Sequence, residues 1–213
     1  VAWPSFKHRH LDDDISKALG GFVADVMNDE PVVLAPDDTI EVAATISFGE
    51  ELERTLAEHP TDVLLLDVNV PTSADNPNPY PILHAIPKLL QLYPGLNILV
   101  ISMYAERGLI RAVMEAGASG YVLKDDQTTA QDLGSVVVSI AGGGIYFSQK
   151  AHELYSKHLS KESGLLSVRQ LEALSLCAAY PNNTTAALAD MMTVSNSTVR
   201  NLLSAAYLKL DVN

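Results

Sequence analysis

Val63-Leu-Leu-Leu-Asp67-Val-Asn69-Val-Pro71 decides the architecture of this chain. A short apolar run that ends abruptly on a carboxylate reads as a buried strand meeting a loop. Two further runs end the same way, Ile98-Leu-Val-Ile-Ser102 and Tyr121-Val-Leu-Lys124. In an open parallel sheet ligands bind beyond the carboxyl ends of the strands, so a carboxylate, a hydroxyl and an ammonium are expected to converge at one edge.

Those three groups suit phosphoryl transfer. An oxygen of Asp67 is the nucleophile, Ser102 orients the group and Lys124 offsets its charge. Such chemistry needs a hard cation, and Mg²⁺ is held by carboxylate and carbonyl oxygens with several waters. More acid is therefore expected nearby. Asp12, Asp13 and Asp14 follow the first possible strand and would lie at the same edge. Their other reading is a solvated charge run.

Working outward, residues 40 to 141 alternate short β-rich runs with amphipathic helical stretches, the pattern of βα units and a parallel sheet. Ile40 to Ile46 is another run, and Glu50 to Glu58, Ile82 to Tyr93 and Leu109 to Ala116 have helical spacing. Gly117 stops the third helix. A further helix runs from about Thr129 to Ala141 and ends in Gly142, Gly143 and Gly144. Ile15, Leu19, Phe22, Val23 and Val26 make one helix face, whereas Phe6-Lys-His-Arg-His-Leu11 is a poor buried strand. Residues 146–164 are mixed and polar, with a helical fragment around Ala151 to His158, and read as a linker rather than a core. A second domain follows, opening on the capping box Ser167 to Gln170, with helices from about Thr185 to Met192 and from Ser195.

Composition bounds the function. With 213 residues, 47% of them hydrophobic, the chain can bury a core in each of two domains. The single cysteine, Cys177, excludes a disulfide framework and suits a reducing compartment. No apolar run approaches a membrane span and no signal peptide opens the chain, so a cytoplasmic location without membrane contact is expected. A net charge of −12 argues against nucleic acid until its distribution is read. From Lys161 onward Lys161, Arg169, Arg200 and Lys209 balance Glu162, Glu172, Asp190 and Asp211, so the whole acidic excess precedes residue 161. The six histidines lack metal-ligand spacing. Because the chain starts at Val1 and stops right after a helical pattern, terminal elements are expected to be missing.

The region from about 40 to 145 resembles the receiver domain of two-component response regulators. Asp67-Val-Asn-Val-Pro71 looks like its phospho-acceptor loop, Ser102 like its switch hydroxyl, and Gly117-Ala-Ser-Gly-Tyr-Val-Leu-Lys124 like its final turn and strand. The resemblance implies a doubly wound, parallel, five-stranded α/β sheet of the flavodoxin-like kind. It implies that Asp12, Asp13, Asp67 and the backbone carbonyl of Asn69 bind Mg²⁺, and that Tyr121 repositions as Ser102 moves toward the phosphate. Two departures stand out. An insertion around Asp29 to Asp38 lengthens the path from the acidic run to Asp67, and the loop Thr72-Ser-Ala-Asp-Asn-Pro-Asn-Pro-Tyr-Pro81 is long and lacks an Asp-Gly turn.

Val194-Ser-Asn-Ser-Thr-Val-Arg-Asn-Leu-Leu203 with Leu166-Ser-Val-Arg-Gln-Leu-Glu-Ala-Leu174 resembles the LuxR-type helix-turn-helix, and both halves together resemble the NarL/FixJ family. The helix pattern agrees. Val199, Leu202, Leu203, Ala206 and Leu210 share one face and Ser195 caps the start. Asn196, Ser197, Thr198, Arg200, Asn201, Ser204 and Lys209 are left for base edges and phosphates. Leu202 stands where the family commonly has histidine, and the family's last helix is absent.

The expected organisation is therefore a receiver over 1–145, a linker over 146–164 and a small all-α helix-turn-helix domain over 165–213, incomplete at its C-terminus. The expected function is a DNA-binding response regulator, not an enzyme, phosphorylated on Asp67 by a histidine kinase and biased toward a homodimer on activation. A haloacid-dehalogenase-like phosphatase would need a second Asp two residues after the nucleophile as general acid, and that position is Asn69. The other alternative keeps the fold as a pseudo-receiver switched by ligand or partner without phosphorylation.

Overall fold

The computed structural model describes the backbone of 2–7 and residues 40–126, 128–129, 132–156 and 166–210. In chain order these form β1 (Ala2–Lys7), β2 (Glu41–Ile46), a short 3-10 turn (Gly49–Glu51), α1 (Leu52–Glu58), β3 (Val63–Asp67), α2 (Ile82–Leu92), β4 (Asn97–Ser102), α3 (Arg107–Glu115), β5 (Gly120–Leu123), α4 (Leu133–Ala141), β6 (Tyr146–Phe147), α5 (Gln149–Ser156), α6 (Val168–Ala179), α7 (Thr185–Met191) and α8 (Asn196–Leu210). Asp12, Asp13 and Asp14, and the helix expected around Ile15 to Val26, lie outside the described residues.

The first domain is α/β. Its sheet has the order β2-β1-β3-β4-β5-β6, with β3 through β6 parallel. Alternation along the strands decides what each face buries. Leu64, Leu66, Ile98, Val100, Tyr121 and Leu123 pack on α1, α2 and α3. Val63, Leu65, Leu99, Ile101 and Val122 pack on α4. Each buried Leu or Ile contributes about 1.5–3 kcal/mol, so this sheet covered on both faces is the stabilising centre.

Two features correct the expected five parallel strands. First, β1 runs antiparallel to both β2 and β3. Its sequence, Ala-Trp-Pro-Ser-Phe-Lys, is broken by Pro, Ser and Lys, unlike the continuous apolar runs of doubly covered parallel strands. Its register with β2 also shifts between Ala2 and Ser5, across Pro4, which has no N–H to give the ladder. Second, a sixth strand arises from residues expected as linker. Tyr146 approaches β5 closely because Gly120 has no side chain there; a Cβ would meet the Tyr146 carbonyl oxygen at 2.4 Å. The chain continues into α5, where Ala151 is fully buried in the same core as α2 and α3.

The C-terminal helices form a small bundle around Ala173, Leu176, Leu188, Val199 and Leu203. Both predicted caps form: the Gln170 N–H donates to Ser167 Oγ while Gln170 Oε1 accepts from the Ser167 N–H, and the Thr198 N–H donates to Ser195 Oγ. The bundle, hereafter the head, docks on the first domain through α6, whose Val168 and Leu171 pack against the core beside α2 and α3. The long loop after Pro71 takes part. It folds on itself through Thr72 and Asn78, and Asn76 Nδ2 donates to the carbonyl of Ala179 at 2.8 Å, capping the end of α6.

Candidate phosphoacceptor site and reading helix

Asp67, Ser102 and Lys124 come from three neighbouring parallel strands, so the register itself brings them to one edge. Asp67 is 4% exposed and Ser102 fully buried. Lys124 Nζ donates to Asp67 Oδ2 at 2.7 Å, and the Asn69 N–H donates to Oδ1 at 2.9 Å. Each carboxylate oxygen thus has a donor. A phosphoryl group on either one would meet an ammonium and a main-chain N–H already in place.

Tyr121 stands next to this pair, fully buried, with its hydroxyl donating to the Tyr104 carbonyl at 2.8 Å. Burial pushes its phenol well above the ordinary tyrosine value, an effect the neighbouring Ser102 hydroxyl only partly offsets. Tyr104 is the residue that sequence reasoning missed. Its N–H donates to Ser102 Oγ at 2.9 Å, and its hydroxyl lies 3.2 Å from Asn69 Nδ2. It therefore ties Ser102, Tyr121 and the loop after Asp67 together. The available signal was its place, two residues past the end of β4 on the reactive edge.

Hard oxygen donors for Mg²⁺ are present at this edge in the Asp67 carboxylate and the Asn69 carbonyl. Among the described residues no group of three or more His, Cys, Asp or Glu side chains could hold a metal ion. The other two expected ligands, Asp12 and Asp13, lie outside them.

On α8, Ser197, Thr198, Arg200, Asn201 and Ser204 are exposed, and Arg200 has no ion pair among the described residues. Of the other two expected DNA contacts, Lys209 is also exposed and Asn196 is half-buried. Lys209 Nζ donates to Gln170 Oε1 at 3.2 Å and so turns toward α6. Asn196 Oδ1 is buried without a partner among the described residues. The head meets the receiver with α6, so the exposed face of α8 stays open in the docked arrangement.

The docking contact also carries a polar group from each side. Glu172 Oε1 lies 3.2 Å from His84 Nδ1 on α2, and Oε2 accepts from Arg169 at 2.8 Å. Burial alone would raise the Glu172 carboxyl, but the bonds from His84 and Arg169 outweigh it and hold the group below the usual carboxylate range. No sequence signal links His84 to Glu172. Among the described residues, no helix is long and apolar enough to cross a membrane.

No family model matches the chain. It is 28% identical over 203 residues to the transcriptional regulatory protein DegU of Brevibacillus brevis, covering 85% of this chain and 81% of that protein. It is 30% identical over 162 residues to the transcriptional regulatory protein MctR of Rhizobium johnstonii, covering 74% and 70%. Among solved structures, RcsB from Salmonella enterica serovar Typhimurium bound to promoter rprA in the presence of phosphomimetic BeF3⁻ shares the fold. That match has a TM-score of 0.57 at 22% identity and covers 81% of this chain and 80% of that one. With a receiver edge and a reading helix in one chain, and relatives that it spans over most of their length, the chain belongs to the NarL/FixJ family of two-component response regulators, which regulate transcription by binding DNA.

Proposed function

We propose that Asp67 accepts a phosphoryl group from a sensor histidine kinase and that the added charge sets the DNA-binding activity of the head. The observation that carries this reading is the buried Asp67 carboxylate, with Lys124 Nζ 2.7 Å away and Ser102 at the end of the next strand. In the transfer the phosphohistidine N–P bond breaks, an Asp67 Oδ–P bond forms, and the histidine nitrogen regains its lone pair. Phosphorylation adds close to two negative charges, which draw Lys124 and the Ser102 hydroxyl toward the product. Asp67, the Asn69 carbonyl, Asp12 and Asp13 would hold Mg²⁺, which when bound supplies further charge neutralisation. Asn69 cannot serve as a general acid, which supports a site that holds the group over one that turns over phosphate esters.

The exposed groups Ser197, Thr198, Arg200, Asn201 and Ser204 on α8 are the proposed contacts to base edges and phosphates, with Asn196 and Lys209 at the margins. Phosphorylation biases the chain toward a homodimer whose two heads read paired half-sites. Such a bias acts between existing states, so its strength equals the difference in phosphate contacts between them.

Incubation with Mg²⁺ and acetyl phosphate, followed by intact mass, tests the reading. A single phospho-adduct that disappears in Asp67→Asn is expected. Steady hydrolysis of phosphate esters would point to a phosphatase instead, and the absence of any adduct to a receiver switched without phosphorylation.

A further inference from the structure

An open cavity of about 730 Å³ lies between the acceptor edge and the DNA-binding head. Ile82, Leu83 and Leu109 wall it from the receiver, and Leu171 with Ala178 from α6. Its size falls in the range of small-molecule sites, roughly 300–1,000 Å³.

Three of the polar groups on its wall are already engaged, whereas the side chains of Tyr80, Glu106 and Arg107 make no hydrogen bond or ion pair among the described residues. Asn69 and Tyr104 bond each other through their side chains, and the Ser175 hydroxyl donates to the Glu172 carbonyl at 2.8 Å. Glu106 and Arg107 bring opposite charges to the edge, so the lining as a whole is neutral. Apolar side chains make up most of the lining, and the opposed charges of Glu106 and Arg107 give a ligand of either sign no net counter-charge, so burial of apolar surface is the main gain on offer. We infer that this cavity takes a neutral, largely apolar small molecule held between the receiver and the head.

The position gives such a molecule a route to the switch. The Asn69 N–H holds Asp67 Oδ1, and the Tyr104 main chain holds Ser102 Oγ and the Tyr121 hydroxyl, so a ligand against the side chains of these two residues bears on the backbone that positions the acceptor. Its other wall is α6, the element that docks the head. Occupancy therefore alters both how firmly the head sits and how fast Asp67 is modified. The effect on Asp67 rests on the phosphoacceptor reading, while binding itself does not.

The full chain titrated with the neutral fluorophore N-phenyl-1-naphthylamine, without phosphodonor, tests the site. A saturable rise in fluorescence with single-site stoichiometry is expected. Filling the cavity from the head with Ala178→Trp, or making the receiver wall polar with Leu109→Gln, is expected to weaken it roughly tenfold. Ala186→Trp, at an exposed position of α7 that does not line the cavity, is expected to leave it unchanged. No saturable rise, or wild-type affinity in both cavity variants, overturns the inference. Saturating probe is also expected to change the initial rate of the acetyl phosphate adduct, and an unchanged rate overturns the link to Asp67. If no adduct forms with or without probe, the phosphoacceptor reading fails and the titration alone decides this one.

Discussion

Lys124 Nζ and Asp67 Oδ2 are 2.7 Å apart, with side chains only 9% and 6% exposed, so each charge depends on the other for its place in the core edge. Removing one partner of such a pair strands the other. Lys124→Met is expected to lower stability by about 3 kcal/mol in urea unfolding at neutral pH. The double change Asp67→Asn with Lys124→Met recovers most of that loss, because no unpaired charge remains. A double variant as unstable as Lys124→Met would mean that packing, not charge, is what matters here.

Tyr121 carries a buried phenol whose ionisation lies above the ordinary value of 10.0. The neutral form is favoured in the folded chain, so its contribution is complete below 10.0 and is lost as pH rises through the higher folded value. In an ultraviolet titration of the folded protein, Tyr121→Phe is expected to leave the absorbance change around pH 10.0 untouched. A drop of one tyrosine in that step would show that the ring is open to solvent.

Glu172 behaves in the opposite sense. His84 and Arg169 hold its carboxyl below the ordinary 4.5, so it supports the docked head above that value and loses this support as pH falls through the lower folded one. Small-angle scattering is expected to show the particle expanding on acidification, with Glu172→Gln already expanded at neutral pH. The bonds to a charged group are worth about 1–2 kcal/mol once discounted for the exposure of Arg169. An unchanged radius of gyration in both tests would remove this contact from the docking energetics.

Thr193 closes the turn between α7 and α8 with φ of +54°, in the left-handed region that a β-branched residue adopts only under strain. Thr193→Gly relieves the clash of its Cβ but frees the unfolded chain, so a net gain of up to about 1 kcal/mol is expected. Thermal unfolding of the wild type and the variant measures it, and a loss of stability would show that the threonine side chain makes a compensating contact.

Arg200 offers its guanidinium from the exposed face of α8. Arg200→Ala is expected to weaken binding to a mixed-sequence duplex and to reduce the slope of log affinity against log salt by about 1. Fluorescence anisotropy at several salt concentrations checks this, and an unchanged slope would place the phosphate contact elsewhere.

Periodicity and local caps were legible in the chain itself. The runs ending at Asp67, Ser102 and Lys124 announce parallel strands because a doubly covered strand has no room for polar alternation. Ser167 with Gln170 announces a helix start because that pair satisfies two main-chain N–H groups locally. Within residues 146–156 the helical fragment was legible, but the strand at Tyr146–Phe147 and the burial of the segment were not. Their polar composition hides Ala151, and only the absence of a Cβ at Gly120 lets Tyr146 pair with β5. The reversed β1 was equally hidden, since strand direction is set by what lies on either side.

By itself, then, the sequence determined most of the strands and helices from Ile40 onward and which three polar groups stand at the sheet edge, because both follow from short-range periodicity and the chain's alternation. Only the tertiary structure decided that Tyr104 joins Ser102 to Asn69, that His84 meets Glu172, and that Asn76 caps α6. Those contacts join residues far apart in the chain or across a loop. They depend on how one packed body settles on another, and no local spacing encodes that.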